Sequence, residues 1–433
     1  MAIPPTNPEV PVIEAVKTTR VAYLWRVLLI TFMGSMGTAV VTNGIAFIAD
    51  QGLGYSGTQN LVLGLVIGAT YIPFALFSGP MLRKLVRRNP GITTRRVLLG
   101  IMLLLSVVAQ GPLLADRFGG ANAPQLTEAA LWLMGLVFMG ATGVQWPIVE
   151  AYLSGGRRSV DLRKAIGKFN IVWSSAIVLV YWMMAPLLER QPFLIVSLLG
   201  GLHIVIALFV SQLPDDPAKH VIESHLDEAH EPHPAVYVPL LRVFRMMLIA
   251  SYVILSVMIP LMPSIESKLG LAELWWTPIA STWLTVRVIF FVVFERWHGW
   301  HGRWWTPWFG MGSMMLGFAL AMVSPNIGTI EAGSVNVMGV VLLVAGLSLA
   351  GVGIAATYYG ALYYAMAVGN ADVDAGGKHE AFIGVGYTVG PLCGLFGGMV
   401  WAGGAGVIAV TSVVVLTMVG VAIANARKHT KSA

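Results

Sequence analysis

The stretch Gly143–Ser175, with the sequence GVQWPIVEAYLSGGRRSVDLRKAIGKFNIVWSS, joins two apolar runs through a short basic turn. A carboxylate, Glu150, and an amide, Gln145, lie in the first run, and Asn170 lies near the start of the second. Such groups cost free energy where a helix faces lipid, so we expect them to face a protein interior or a water-filled cavity. A related mixture of residues returns over 353–391. The two stretches predict two similar halves that close around these polar groups.

The composition of the 433-residue chain is typical of a membrane protein. Hydrophobic residues make up 56% and charged residues only 11%, whereas soluble domains carry about 25% charged residues. The apolar residues come in blocks of about 20, and a helix of that length crosses the roughly 30 Å hydrocarbon layer. Because backbone N–H and C=O groups inside lipid need internal partners, the blocks are predicted to be helices. The fold class is therefore an all-α polytopic membrane protein.

Twelve spans are predicted, six on each side of a polar linker at 214–238. The first six form an N-terminal bundle over 22–213, and the second six form a C-terminal bundle over 239–426. Short tails at 1–21 and 427–433 complete the chain. Two halves of nearly equal extent are typical of a duplicated transporter fold. The predicted spans are 22–49, 60–82, 96–115, 127–153, 164–187, 192–213, 239–263, 273–295, 306–324, 335–366, 379–403 and 405–426.

Lys and Arg residues fall mainly on one side of these spans. Only Arg117, Arg190 and Lys268 are assigned to the opposite side. The positive-inside rule then places both termini and the linker in the cytoplasm and the chain in a cell inner membrane. Since most basic residues lie in short loops between apolar blocks, the formal charge of +6 does not indicate nucleic-acid binding.

The predicted linker is acidic and rich in histidine. Nearby carboxylates make a metal site conceivable, but a spacing of five residues does not bring the first three histidines to one helix face. A solvated, partly helical linker is the favoured interpretation, and no cofactor or metal is predicted. The histidines are His220, His225, His230 and His233.

Several phrases resemble bacterial members of the major facilitator superfamily: WPIVEA at 146–151, KFNIVWS at 168–174, YYGALYY at 358–364 and KHEAFIGVGY at 378–387. The twelve spans in two sets of six, with a basic segment after the second, are similar as well. The resemblance covers about residues 20–426. It implies that two bundles rock around a central cavity, lined chiefly by spans one, four, seven and ten, and expose the cavity to each side of the membrane in turn.

The segment from Gly79 to Arg88 resembles the family signature Gly-x-x-x-Asp-Arg-x-Gly-Arg-Arg. Here Arg83 replaces the aspartate and Val86 replaces the second glycine. In the family the aspartate helps to latch the two halves together. We therefore expect that latch to be lost or to lie on other residues.

Two carboxylates are the candidate proton-coupling groups. Glu150 follows Trp146 by four residues, so the two share a helix face, and a carboxylate inside a span is a candidate protonatable group. The alternative is a structural ion pair between Glu150 and Arg157 or Arg158. Glu380 opens the eleventh span, at the place that Asn170 takes in the fifth, and it equally suits a helix-start cap.

Arg287 is the candidate anion-binding group, because an arginine within a span is rare and costly. Its planar fork of donors could hold an anionic substrate or a carboxylate. The alternatives are snorkelling toward the membrane surface and a fixed pair with a helix end or a neighbouring carboxylate.

The remaining candidates for substrate binding are amides and aromatic residues. Aromatic hydroxyls suit an amphipathic cavity wall, while an interfacial aromatic belt is the alternative for the tyrosines. Asn170 also suits a helix-start cap. Tyr359 and Tyr363 are four residues apart and share a face, whereas Tyr358 points elsewhere. The set comprises Gln145, Trp146, Asn170, Trp173, Tyr358, Tyr359, Tyr363 and Tyr387.

These features predict a secondary active transporter, acting as a monomer in the lipid bilayer, that moves a small organic solute and is coupled to protons. Two alternatives are an integral-membrane enzyme acting on a lipid or sugar donor and a sensor that keeps the fold without transport. An enzyme is disfavoured because the spans carry no convergent catalytic set.

Overall fold

The computed structural model describes residues 21–89, 91–157, 159–217, 234–328, 334–368, 373–401 and 404–431, and all regular elements in these ranges are helical. Twelve of the described helices are long and apolar enough to cross a membrane, as predicted. They are α1 (Leu24–Leu53), α2 (Gly57–Arg88), α3 (Thr94–Phe118), α4 (Ala123–Ser154), α5 (Ser159–Leu188), α6 (Pro192–Val210), α7 (Tyr237–Lys268), α8 (Glu273–Arg296), α9 (Trp305–Val323), α10 (Val337–Val368), α11 (Val373–Val400) and α12 (Gly404–Lys431).

Several helices extend beyond the predicted spans. A capping box between Ser56 and Gln59 starts α2, where the side chains satisfy backbone N–H groups that lack a helical partner. The same helix continues to Arg88, so the basic residues predicted for a loop lie in its last turn. Positive charge suits the carboxyl end of a helix dipole, which stabilises this extension.

The first helix is interrupted by a π-helical turn, beside the cavity that is described in the next subsection. Between Leu24–Ala39 and Ile45–Leu53, the segment Val40–Gly44 forms a π-helical turn. One extra residue per turn rotates the side chains that follow, and such turns often occur at functional sites. The turn contains Thr42 and Asn43.

Each half repeats the same packing scheme. In the first half, α1 packs against α5 and α6, α2 against α4, and α3 against α4 and α6. In the second, α7 packs against α11 and α12, α8 against α10, and α9 against α10 and α12. The two six-helix bundles are therefore structural repeats, as predicted.

The halves meet mainly along α2 with α11 and along α5 with α8, with α1 and α4 adding contacts to α7 and α11. We call the end of the molecule where α1 begins the termini end, and the opposite end the distal end. The division of the chain at 21, 213, 238 and 426 stays a prediction. The linker histidines lie outside the described residues, so the structure does not test the metal-site interpretation.

Candidate functional site

A cavity lies between the two halves of the molecule. Helices of both bundles contribute to its wall. Seven of the predicted site residues line it: Trp146, Glu150, Trp173, Arg287, Tyr358, Glu380 and Tyr387.

The carboxyl groups of Glu150 and Glu380 lie within hydrogen-bonding range of each other at one side of the cavity. We call them the acid pair. Glu150 comes from α4 and Glu380 from α11, so the contact crosses between the halves. A hydrogen bond between two carboxyl groups requires a proton on one of them, since a carboxylate only accepts. The hydroxyl of Tyr71 on α2 donates to Glu380 Oε2 at 2.5 Å.

The structural alternatives for these carboxylates do not hold for the described residues. Arg157 donates to the backbone oxygens of Tyr152 and Leu153 at 3.0 and 2.6 Å, and not to Glu150; Arg158 lies outside the described residues. Helix α11 begins at Val373, so Glu380 lies about two turns inside it. A helix-start cap is therefore the wrong interpretation of Glu380.

Arg287 lies at another part of the same cavity and is 1% exposed. Its guanidinium carbon lies 4.4 Å from the centre of the Trp173 ring and 5.0 Å from that of Trp283. Nη2 donates to Ser174 Oγ at 3.4 Å, while Nε has no partner. Among the described residues no carboxylate forms an ion pair with it. Snorkelling and a fixed carboxylate pair are thus both wrong.

Three tyrosines lie between the arginine and the acid pair. Tyr252, Tyr358 and Tyr387 are within electrostatic range of both Arg287 and Glu380. The rings of Tyr252 and Tyr387 meet edge to face at 5.3 Å, and Tyr358 lies 5.6 Å from Trp173. Edge-to-face contacts hold rings in fixed orientations. The cavity therefore has an acidic side, a cationic side and a wall of hydroxyl-bearing rings between them.

No protein-family model matches the sequence, and a search of curated proteins gives no match either. Solved transporter structures do match. A variant of the nucleoside transporter NupG is similar with a TM-score of 0.60 and 13% identity over 94% of this chain and 99% of that one. A structure on substrate recognition in proton dependent oligopeptide transporters has a TM-score of 0.61 and 11% identity, over 93% of this chain and 96% of that one. The chain shares the fold of these solved transporters.

A third similar structure is a bacterial homolog of the human lysosomal transporter Spinster, in an inward-facing and occupied conformation. Its TM-score is 0.56 with 12% identity over 94% of this chain and 96% of that one. At such identities the likeness shows the fold alone. The expected architecture of a multi-pass membrane protein is thereby confirmed, and the role of each cavity residue stays a prediction.

Within this fold, two of the predicted amides lie off the cavity wall. Gln145 is 1% exposed, and neither atom of its amide group has a hydrogen-bond partner. It faces α1 near Gly34, because one residue of helix rotates it away from Trp146. Asn170 lies well inside α5, which begins at Ser159, and it accepts a hydrogen bond from Trp173 Nε1 at 3.0 Å. Its position orients the tryptophan, so a helix cap is the wrong interpretation.

Two of the predicted tyrosines also lie elsewhere. Tyr359 packs against Phe291, 6.1 Å away, and Trp300, 5.8 Å away, and Tyr363 stacks on His301 at 4.1 Å. The two do share a helix face, but that face meets the α8–α9 connection at the termini end. Their predicted placement on the cavity wall is wrong, and Tyr358 is the tyrosine of this phrase that lines it.

Sequence reasoning missed polar residues on α1, α2 and α7. Ser35, Thr38 and Thr42 on α1 line the cavity, and their spacing of three and four residues puts them on one helix face. This periodicity was a usable signal. Tyr71 and Tyr252 lie in long, mostly apolar runs, and no local pattern distinguishes them from structural tyrosines.

Proposed function

We propose that the chain is a secondary active transporter that moves a small organic solute across the cytoplasmic membrane by alternating access. The observation that carries the proposal is the hydrogen-bonded acid pair, Glu150 and Glu380, which joins the two halves at the cavity. The three similar structures are of transporters, one from a group described as proton dependent. The proposal includes a monomer with both termini in the cytoplasm.

Proton coupling follows from the position of the acid pair. With one shared proton, the pair forms a hydrogen bond that holds α4 and α11 together. Loss of that proton leaves two carboxylates side by side in a partly buried site, and their repulsion favours separation of the halves. Tyr71 supports the bonded arrangement by donating to Glu380. Protonation state and exposure of the cavity are thereby linked.

The position of the pair also assigns a direction to this opening. Glu150 lies one turn before the end of α4, and Glu380 about two turns after the start of α11. Both positions are on the termini side of the cavity. Deprotonation therefore opens the cavity toward the termini end, which the proposed topology places in the cytoplasm.

Transport by proteoliposomes tests the proposal. Solutes that raise the melting temperature of the purified protein are selected first, because a bound solute stabilises the folded form. We expect a pH gradient to drive accumulation of such a solute. Glu150→Gln and Glu380→Gln should abolish accumulation while retaining exchange of labelled for unlabelled solute.

Glu295→Gln serves as the matched control, because Glu295 is an exposed carboxylate at the end of α8, and it should leave accumulation unchanged. Accumulation that persists in both acid-pair variants at every pH contradicts proton coupling through the pair. Binding without exchange in the unmodified protein favours the sensor alternative. Chemical turnover of a bound lipid or sugar donor favours the enzyme.

A further inference from the structure

Arg287 is a buried cation whose partners are mostly neutral rings. Its guanidinium contacts Trp173, Trp283 and Phe291, at 4.4, 5.0 and 5.8 Å from their ring centres. Ring faces attract cations but do not accept two parallel N–H bonds as a carboxylate does. A buried charge without a counter-ion is costly. The protein therefore leaves part of the binding capacity of this arginine unused.

Arg287 forms part of the cavity wall, and its Nε is buried without a hydrogen-bond partner. The only hydrogen bond that its guanidinium makes among the described residues is the 3.4 Å contact with Ser174. An anion entering the cavity would supply the missing acceptor oxygens.

Around this cation the cavity is mainly aromatic. Trp146, Phe169 and Trp173 line it from the first half, and Trp283 and Tyr358 line it from the second. Flat rings of this kind enclose a flat apolar body through offset and edge-to-face contacts. Hydroxyl groups of a solute that lie against the faces of these rings would stay unpaired, so we expect the part of the solute beside Arg287 to be apolar.

We propose that the solute is an aromatic monocarboxylate, bound through its carboxylate by Arg287 and through its ring by the surrounding tryptophans, and that one proton binds with it. This inference deepens the proposed function and rests on it.

The proton count follows from the charges that line the cavity. Arg287 carries one positive charge. The acid pair holding one shared proton carries one negative charge, so the empty cavity is neutral. A bound carboxylate adds a second negative charge. A second proton on the acid pair restores neutrality, which avoids an uncompensated charge in a site shielded from water. The transferred unit is therefore one anion with one proton.

Binding to the full-length protein in lipid nanodiscs tests this inference without a transport assay. Isothermal titration calorimetry compares 3-phenylpropanoate with 3-phenylpropanamide, which has the same shape and no charge. We expect the carboxylate to bind at least about 10-fold more tightly, the value of a hydrogen bond to a charged group. Titrations in two buffers of different ionisation enthalpy should give close to one proton taken up per anion. Raising the pH by one unit should weaken binding by up to about tenfold.

Variants at Arg287 and at the acid pair separate the contribution of the charge, that of the donor fork and that of the proton, and a variant at Arg296 is the control. Arg287→Met should remove the preference for the carboxylate over the amide. Should that variant fail to fold, Arg287→Lys keeps the charge without the donor fork, and it should bind the carboxylate more weakly but still prefer it. The double variant with Glu150→Gln and Glu380→Gln should keep the preference and lose the proton uptake, because no carboxyl group then remains in the acid pair. Arg296→Met, at the exposed end of the same helix, should change neither.

Equal affinity for the amide and the carboxylate overturns the inference, and so does absence of binding to folded protein. Proton uptake near zero overturns the proposed stoichiometry. Phenyl phosphate carries two charges against one arginine and should bind more weakly; tighter binding would exclude a monocarboxylate. If proteoliposomes accumulate a different class of solute, this inference fails and the proposed function stands. If the carboxylate binds but is never exchanged, the site stands and the proposed function fails.

Discussion

The seams α2–α11 and α5–α8 occupy equivalent places in the repeated fold, but they are built differently. Along α2–α11 the backbones approach closely: a Cβ atom added to Gly68 would lie 2.6 Å from the backbone oxygen of Tyr387, and one added to Gly394 would lie 2.7 Å from Leu61. Along α5–α8 the contact is made by large side chains, with Arg287 lying over Trp173. Both seams border the cavity; we call α2–α11 the close seam and α5–α8 the open seam.

This difference in packing gives the two seams different side chains at the cavity: carboxyl groups at the close seam and a guanidinium group at the open seam. The close seam carries the hydrogen bond from Tyr71 to Glu380, so the proton site lies where small movements of the helices are felt directly. The open seam carries the arginine, whose rings leave space for a ligand. In the proposed function, the close seam carries the proton site and the open seam carries the anion site.

The largest expected effect comes from breaking the close seam. Gly68→Val forces side-chain carbons against the backbone of α11, where no side-chain rotation relieves the clash. We expect the free energy of unfolding to fall by about 2–3 kcal/mol, measured as a lower melting temperature in one detergent. Gly201→Val is the control, since an added Cβ there meets nothing within 4 Å. Equal melting temperatures of the two variants would mean that the seam is not packed as described.

The open seam should respond in the opposite direction. Arg287→Met removes a buried charge that has no carboxylate partner, so we expect a stability gain of about 1–2 kcal/mol in the absence of any solute. Melting temperatures of wild type and variant without added probe measure this gain. A loss of similar size would show that the surrounding rings already compensate the charge.

Most of the fold was predictable from the sequence, because span length and charge placement are set by the bilayer itself. The helix ends were less predictable. Helix α7 continues to Lys268 rather than ending at 263, so Glu266, which is 0% exposed, lies within a span and was not considered. The sequence also contained no signal for the contact between Glu150 and Glu380. Their pairing depends on how two distant helices cross, which no local pattern specifies.

The sequence predicted which types of residue line the cavity, but not which individual residues do. Periodicity put Trp146 and Glu150 on one face correctly, and it put Tyr359 and Tyr363 on one face, but it did not show that only Tyr358 of these three tyrosines lines the cavity. A helical pattern states which residues share a face. It does not state which neighbour that face meets, since most faces of a helix in a membrane bundle are apolar.

A smaller effect is expected for the hydrogen bond in the close seam. Tyr71→Phe removes the hydroxyl that donates to Glu380 and should lower the free energy of unfolding by about 1 kcal/mol. Tyr23→Phe is the control, because Tyr23 is exposed. Thermal denaturation of both variants in the same lipid nanodiscs measures the difference. No change in Tyr71→Phe relative to Tyr23→Phe would contradict a structural role for this bond.

The smallest effect concerns His301, which lies outside the spans and stacks on Tyr363. Burial and the neighbouring His298 lower the pKa of His301 from its usual value of 6.5. The unfolded chain then binds a proton more readily than the folded chain. Stability is therefore unaffected well above pH 6.5 and decreases as the pH falls below it. Melting temperatures between pH 7.5 and 5.5 should fall less in His301→Gln than in wild type, and an equal fall in both would contradict this account.

The central claim is that the proton on the acid pair controls which end of the cavity is open. Cys393 is the single cysteine and is buried, so a Cys393→Ser background allows spin labels at chosen sites. Distances by electron–electron double resonance should be measured between Thr58→Cys and Lys268→Cys at the distal end, and between Arg87→Cys and Arg242→Cys at the termini end. Raising the pH should lengthen the second distance and shorten or preserve the first, and Glu150→Gln should remove the response. Unchanged distances, or a response that persists in Glu150→Gln, would contradict the account.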